Sequence, residues 1–269
     1  MAKAVKKHGR VYTPDYIVNL ILDFGGYNSS EILKKHVIDN SCGDGAFLVE
    51  IVNRYCSTFL QTSNDISLLR EELETYIHGI ELDEVECKSC IKNLHQITDK
   101  YGVKDINWNI LNADTLTIDQ FNGKMDFVFG NPPYVRVHNL ETSYDSVKKF
   151  KFAKDGMTDL FIVFFEIGFK MLAKEGVMCL ITPSSWLSSL AGKTLREYIF
   201  LYHNLSGVID LEHFQPFEAT TYTLISRFHN SKKFEQIEYF NFDEDKLTEC
   251  FQEYIPYDNI QITGNLYLS

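Results

Sequence analysis

The sequence predicts an α/β fold: a mostly parallel sheet with helices on both faces. Three observations carry that expectation. Short runs of β-formers alternate with helical stretches of 3.6-residue apolar periodicity. Several of the runs are continuously apolar, as in strands buried on both faces. The runs end in Gly, an acid or Pro, which places polar groups at the strand ends where open α/β sheets take their ligands.

The chain of 269 residues can bury one large core, so one domain is expected over residues 1–228, with 229–269 as a more polar extension. No apolar run approaches the length of a membrane span, and the N-terminus (Lys3, Lys6, Lys7) lacks the apolar centre of a signal peptide. A cytoplasmic protein without membrane contact is expected, its six cysteines reduced. Cys87-x-x-Cys90 has no second pair nearby, so no metal site is read from it. The net charge of −11 argues against a self-sufficient nucleic-acid binder. Either the substrate is not nucleic acid, or the part that grips it lies elsewhere. The basic runs Lys3, Lys6, Lys7, Arg10 and Lys148, Lys149, Lys151, Lys154 read equally as solvated faces.

In chain order, Tyr12-Thr13-Pro14 opens a helix (Ile17, Leu20, Ile21, Phe24), with Thr13 as N-cap, Pro14 at the first helical position and Gly25-Gly26 as the stop. A strand over His36–Asp39 runs into Asn40-Ser41-Cys42-Gly43-Asp44-Gly45-Ala46-Phe47-Leu48, a strand, Gly-x-Gly turn and helix. The third glycine of a dinucleotide fingerprint is absent. Asp39 and Asp44 suit a ligand carrying ammonium or sulfonium charge better than a phosphate. The second strand, Tyr76–Glu81, ends in an acid placed to take both hydroxyls of a ribose, although Glu81 and Asp83 also read as solvated strand-end acids. A third strand exits at Asp114, an acceptor for the amino group of an adenine ring. Residues 135–158 read as a long loop beside the site. An apolar helix over Asp159–Lys174, a strand over Gly176–Pro183, a helix over Lys193–Tyr202 and strands over Gly207–Leu211 and Tyr222–Phe228 follow. Two strands and a short helix are expected in the remainder.

The most informative stretch is Asp126-Phe127-Val128-Phe129-Gly130-Asn131-Pro132-Pro133-Tyr134. A buried strand ends in Gly, and two prolines then forbid both ladder pairing and helix. The rigid elbow presents an amide side chain, backbone carbonyls and a ring. An exocyclic amine on a planar ring is a poor nucleophile because its lone pair is delocalised. Two fixed acceptors, the Asn131 side-chain oxygen and the Pro132 carbonyl, each take one N–H and favour the tetrahedral nitrogen of the transition state. Tyr134 offers a stacking face. A loop after any core strand would also contain helix breakers, but not this combination.

These motifs in this order resemble the gamma-class N6-adenine DNA methyltransferases of restriction–modification and phage-defence systems, over about residues 9–228. Tyr12-Thr13-Pro14 is similar to the segment that closes over the methionine part of S-adenosylmethionine. Asp39, Cys42, Gly43, Gly45 and Phe47 fall in the glycine motif. Glu81, with Leu82 beside it, matches the ribose acid, and Asp114, with Thr115 beside it, the adenine acid. Asn131, Pro132 and Tyr134 belong to the catalytic tetrapeptide, with Asn131 also at the cofactor. Asp159-Leu160-Phe161 matches the helix behind the site, and Phe217 the aromatic that meets a flipped base from the other face.

The resemblance implies a Rossmann-like, seven-stranded, mostly parallel sheet, S-adenosylmethionine as cofactor and double-stranded DNA as partner, its target adenine flipped out of the stack. In that family a target-recognition domain follows the catalytic one. The chain stops soon after Phe217, so a separate or missing recognition module is expected. No nuclease is read from the isolated Glu-x-Lys triplets. The same elbow also serves methyltransferases of protein glutamine and of RNA, and an idle cofactor-binding subunit is a further alternative. A nicotinamide dehydrogenase would not need the elbow.

Overall fold

The computed structural model describes residues 12–137, 144–153, 159–217 and 222–260. The N-terminal basic run, Lys154 and residues 218–221 lie outside the described residues. The elements in order are α1 (Asp15–Phe24), β1 (Val37–Asp39), α2 (Ala46–Leu60), α3 (Ile66–Tyr76), β2 (Ile77–Glu81), α4 (Glu84–Asp99), β3 (Asn109–Asn112) and β4 (Met125–Gly130). There follow α5 (Tyr144–Val147), α6 (Leu160–Met171), β5 (Leu172–Pro183), α7 (Lys193–Tyr202), β6 (Leu205–Asp210), β7 (Thr223–His229), β8 (Gln236–Asp243), β9 (Thr248–Pro256) and α8 (Tyr257–Ile260).

All strands form one sheet, in the order β3-β2-β1-β4-β5-β7-β6-β8-β9. From β3 to β5 every pair is parallel. β7 runs against both β5 and β6, β8 is parallel to β6, and β9 runs against β8. The expected seven-stranded sheet is therefore a nine-stranded mixed sheet. The excess comes from β8 and β9, which cover the edge that β6 would otherwise leave with unpaired backbone groups. On β8, Ile237, Tyr239 and Phe242 are buried, whereas most of β9 is exposed.

Alternation along the buried strands divides the core into two layers. Val37 and Phe129 pack with Ile17, Ile21, Leu48, Ile51 and Leu94, residues of α1, α2 and α4. Ile38 and Val128 point to the opposite face, against Phe161, Phe165, Leu195 and Ile199 of α6 and α7. The apolar surface thus buried is the main stabilising contribution, at about 25 cal/mol per Å².

The start of α1 differs from expectation by one residue. Pro14 stands at the N-cap with an extended backbone, no side chain caps the helix, and its carbonyl accepts from Ile17 and Val18. Thr13 therefore does not act as the cap. Its hydroxyl is used elsewhere, as described below.

Candidate active site

The parallel strands β1, β2, β3 and β4 all end on one edge, and the loops leaving them meet there. After β1 the turn takes Gly43 to φ 54° and Gly45 to φ 95°, conformations that suit glycine. A Cβ on Gly45 would also stand 2.8 Å from Cys90 Sγ. Gly45 then starts α2, whose first turn has neither a capping side chain nor an acid.

Glu81 binds the strand exits together. Its Oε2 accepts from Gly43 N–H at 2.9 Å and its Oε1 from Asp83 N–H at 2.8 Å. Asp83 itself caps α4 by accepting from Val85 and Glu86. Glu81 is thus a built-in acceptor at the edge rather than a merely solvated acid. Asp114 caps the short turn after β3, accepting from Leu116 N–H at 3.0 Å.

Asp39 is 1% exposed. Burial pushes its carboxyl up to about 7, Ser41 N–H bonding at 3.0 Å pulls it partly back, and the negative charge of Glu81 raises it further. A cation bound at this edge would favour its ionised form. A Cβ on Gly130 would meet Asp39 Oδ1 at 2.8 Å, so only glycine lets β4 end this close to the acid.

Beyond Gly130 the elbow places Asn131 with its two amide ends in different surroundings. Nδ2 donates to Thr13 Oγ1 at 3.2 Å. Oδ1 is buried and has no hydrogen-bond partner in the protein. A buried acceptor left unpaired is costly unless a ligand donor completes it. Tyr134 donates its hydroxyl to Ile181 O at 3.3 Å, and burial raises its pKa strongly. Its ring lies 6.3 Å from Phe217 at an interplanar angle of 77°, and 6.2 Å from Phe161 at 74°.

The structure therefore brings Thr13, Asp39, Gly43, Glu81, Asn131, Tyr134 and Phe217 into one connected region. Other predicted residues point away from the open edge. Phe47 is buried in the core. The Cys42 thiol is buried and hydrogen-bonded to the free Cys90 thiol, which raises its pKa well above the usual value. The Thr115 hydroxyl donates to Asn40 O at 2.7 Å. These three can serve a ligand only through their backbone. Tyr12 and Leu82 are exposed.

Sequence reasoning missed the support behind Phe217. Tyr16 on α1 meets Phe214 at 6.1 Å and Phe242 on β8 at 6.4 Å, and Phe214 meets Phe242 at 4.8 Å. The cluster fixes the Phe217 loop to α1. Only Tyr16 and Phe214 lie near a motif, and no periodicity links either of them to β8.

S-adenosylmethionine, the cofactor implied by the sequence, fits the residues present. The glycine turn permits close backbone approach, the buried Asp39 suits its positive charge, and the acceptor set of Glu81 lies at the adjoining strand end.

The fold is that of the type I restriction–modification system methyltransferase subunit from Streptococcus thermophilus, with a TM-score of 0.72 at 18% identity, over 98% of this chain and 59% of that one. Residues 46–217 match the Eco57I restriction-modification methylase family, and the chain belongs to it. It is 31% identical over 235 residues to the Type II methyltransferase M.BstVI of Geobacillus stearothermophilus, which covers 82% of this chain and 42% of the relative. It is 24% identical over 220 residues to M.PaeR7I of Pseudomonas aeruginosa, covering 77% and 37%. The chain thus spans less than half the length of these relatives. Among the described residues no helix is long and apolar enough to cross a membrane.

Proposed function

We propose that this chain is the catalytic unit of a site-specific DNA methyltransferase of a restriction–modification system, acting on N6 of a flipped-out adenine. The observation that carries this reading is the buried, unpartnered Oδ1 of Asn131, held at the end of β4 within the Asn-Pro-Pro-Tyr elbow. At the end of the elbow such an atom can take an N–H donor from a ligand, and an exocyclic amine supplies one.

S-adenosylmethionine supplies an electrophilic methyl group on a sulfonium. Asn131 Oδ1 and the Pro132 carbonyl accept the two N–H groups of the adenine amine and return lone-pair density to the nitrogen. The elbow would hold that nitrogen still for the methyl group that the cofactor supplies when bound. The surplus proton leaves the nitrogen to water, so no strong general base is needed. Gly43, Glu81, Leu82 and Asp114 would hold the cofactor through backbone and carboxylate contacts, with Tyr12 and Thr13 closing over it. Tyr134 and Phe217 take the base between them. Their present edge-to-face contact leaves no slot between parallel rings, so taking a base requires the two rings to rearrange.

The family membership and the relatives' names support methyl transfer in a restriction–modification setting. The net charge of −11 fits a unit that grips DNA weakly by itself, with recognition completed by a further module, in a cytoplasmic protein, so transfer is measured at low salt and high DNA concentration. The test is methyl transfer from labelled S-adenosylmethionine to mixed-sequence duplex DNA, followed by separation of the nucleosides. Label in N6-methyladenine is expected. Label in N4-methylcytosine, RNA or a protein glutamine would reassign the substrate.

A further inference from the structure

The carboxamide of Asn131 has two ends of nearly equal size and opposite hydrogen-bonding sense. Only the oxygen end can accept an amine N–H, and an –NH2 turned to the same place would oppose one. The backbone of the elbow cannot decide this, because the choice lies in the last side-chain torsion. A side-chain bond from Nδ2 to Thr13 Oγ1 at 3.2 Å holds the amide with its nitrogen end on the hydroxyl.

Thr13 is well placed to hold that group. It is 8% exposed. Pro14, with φ −61°, follows it and biases Thr13 itself to an extended backbone. The helix behind it is anchored by Ile17, Ile21 and Leu22, all fully buried. At its far end Arg227 donates to Phe24 O at 3.0 Å, and Tyr16 packs on Phe214 and Phe242. The hydroxyl is not spent on capping α1. In this contact it accepts the amide N–H, which leaves Oδ1 as the unpaired end.

We propose that Thr13 is a positioning residue for the transfer step: its hydroxyl holds the Asn131 carboxamide with the oxygen presented to the substrate amine. This role rests on the amine-transfer reading above and adds to it a direct link between the N-terminal segment and the reacting atoms. Seating α1 and setting the catalytic amide are then one event.

The test compares wild type with Thr13→Val, which keeps the shape and loses the hydroxyl, and Thr13→Ser, which restores it. Two readouts are used. In 15N-labelled protein without DNA, the Asn131 side-chain NH2 signals are identified by their loss in Asn131→Asp. One of the pair should carry the shift and slowed exchange of a bonded proton in wild type and Thr13→Ser, and lose both in Thr13→Val. Single-turnover methyl transfer at saturating cofactor should fall roughly 10- to 100-fold in Thr13→Val, a loss that added cofactor does not restore, and recover in Thr13→Ser. Unchanged amide signals in Thr13→Val overturn the contact. A Thr13→Val that binds cofactor weakly but transfers at the wild-type rate once saturated overturns the role, because Thr13 would then serve the cofactor alone. Failure of wild type to methylate any adenine overturns the substrate reading and the role with it, and the amide signals still decide the contact separately.

Discussion

Strands β3, β2, β1 and β4 run side by side in one direction, whereas the sequence of neighbours β5, β7, β6, β8, β9 twice reverses direction at β7 and finally at β9. In the first group every strand delivers its C-terminal end to the same edge, so Asp39, Glu81, Asp114 and Asn131 converge without any one loop having to be long. In the second group the reversals spread the strand ends over both edges. Apart from Phe217, which follows β6, its contribution to the site is mechanical: Ile181 O holds the Tyr134 hydroxyl, Phe242 backs Phe214, and Arg227 and Glu238 hold the end of α1.

This comparison can be broken at the boundary between the halves. Gly130→Ala should have the largest effect, because its Cβ would stand 2.8 Å from Asp39 Oδ1 and β4 must shift. Methyl transfer should fall about 100-fold or more, with about 1–3 kcal/mol of stability lost, read by kinetics and denaturant unfolding. A fully active Gly130→Ala would mean that the elbow tolerates displacement.

Asp39 sharpens the contrast through pH. Its folded carboxyl titrates at about 7, above the unfolded value of 3.8. Between those values the folded protein holds a proton that the unfolded chain has lost, so this group costs stability as pH rises through the window. Asp39→Asn should flatten the profile between pH 4 and pH 7 by at most about 4 kcal/mol relative to wild type. The difference between the two proteins is the quantity to measure, since the buried His78 and His229 contribute the opposite slope. An unchanged difference across the window would place the buried proton elsewhere.

A smaller effect is expected in the supporting half. Arg227→Ala removes bonds to Ser206, Phe24 O and Glu238 and should cost about 2 kcal/mol, read by thermal unfolding. Cofactor affinity should move far less. If affinity collapsed while stability held, the second half would be part of the site and not its support.

Much of this was legible in the sequence for physical reasons. Buried parallel strands need uninterrupted apolar runs, so Phe127-Val128-Phe129 announces both a strand and its double burial. Gly130, Pro132 and Pro133 restrict the backbone so strongly that the elbow follows almost directly. What escaped were features set by partners distant in sequence. The two strands and short helix expected after residue 228 are β8, β9 and α8, but the polar character of the exposed β9 hid that β8 alternates inward residues and joins the main sheet. Thr13 and Pro14 looked like an ordinary helix start because capping is a local pattern, whereas the bond to Asn131 spans 118 positions. The buried state of Asp39 and the inward turn of Phe47 and Thr115 likewise depend on what packs over them.

The measurement that bears most directly on the site compares wild type with Asn131→Ala, with cofactor affinity and methyl transfer to duplex DNA measured on the same preparations. Wild type is predicted to place label in N6-methyladenine, and Asn131→Ala to bind S-adenosylmethionine nearly as well while losing transfer. Transfer that survives in Asn131→Ala, or cofactor binding that disappears with it, would contradict the assignment of the elbow oxygen to the reacting amine.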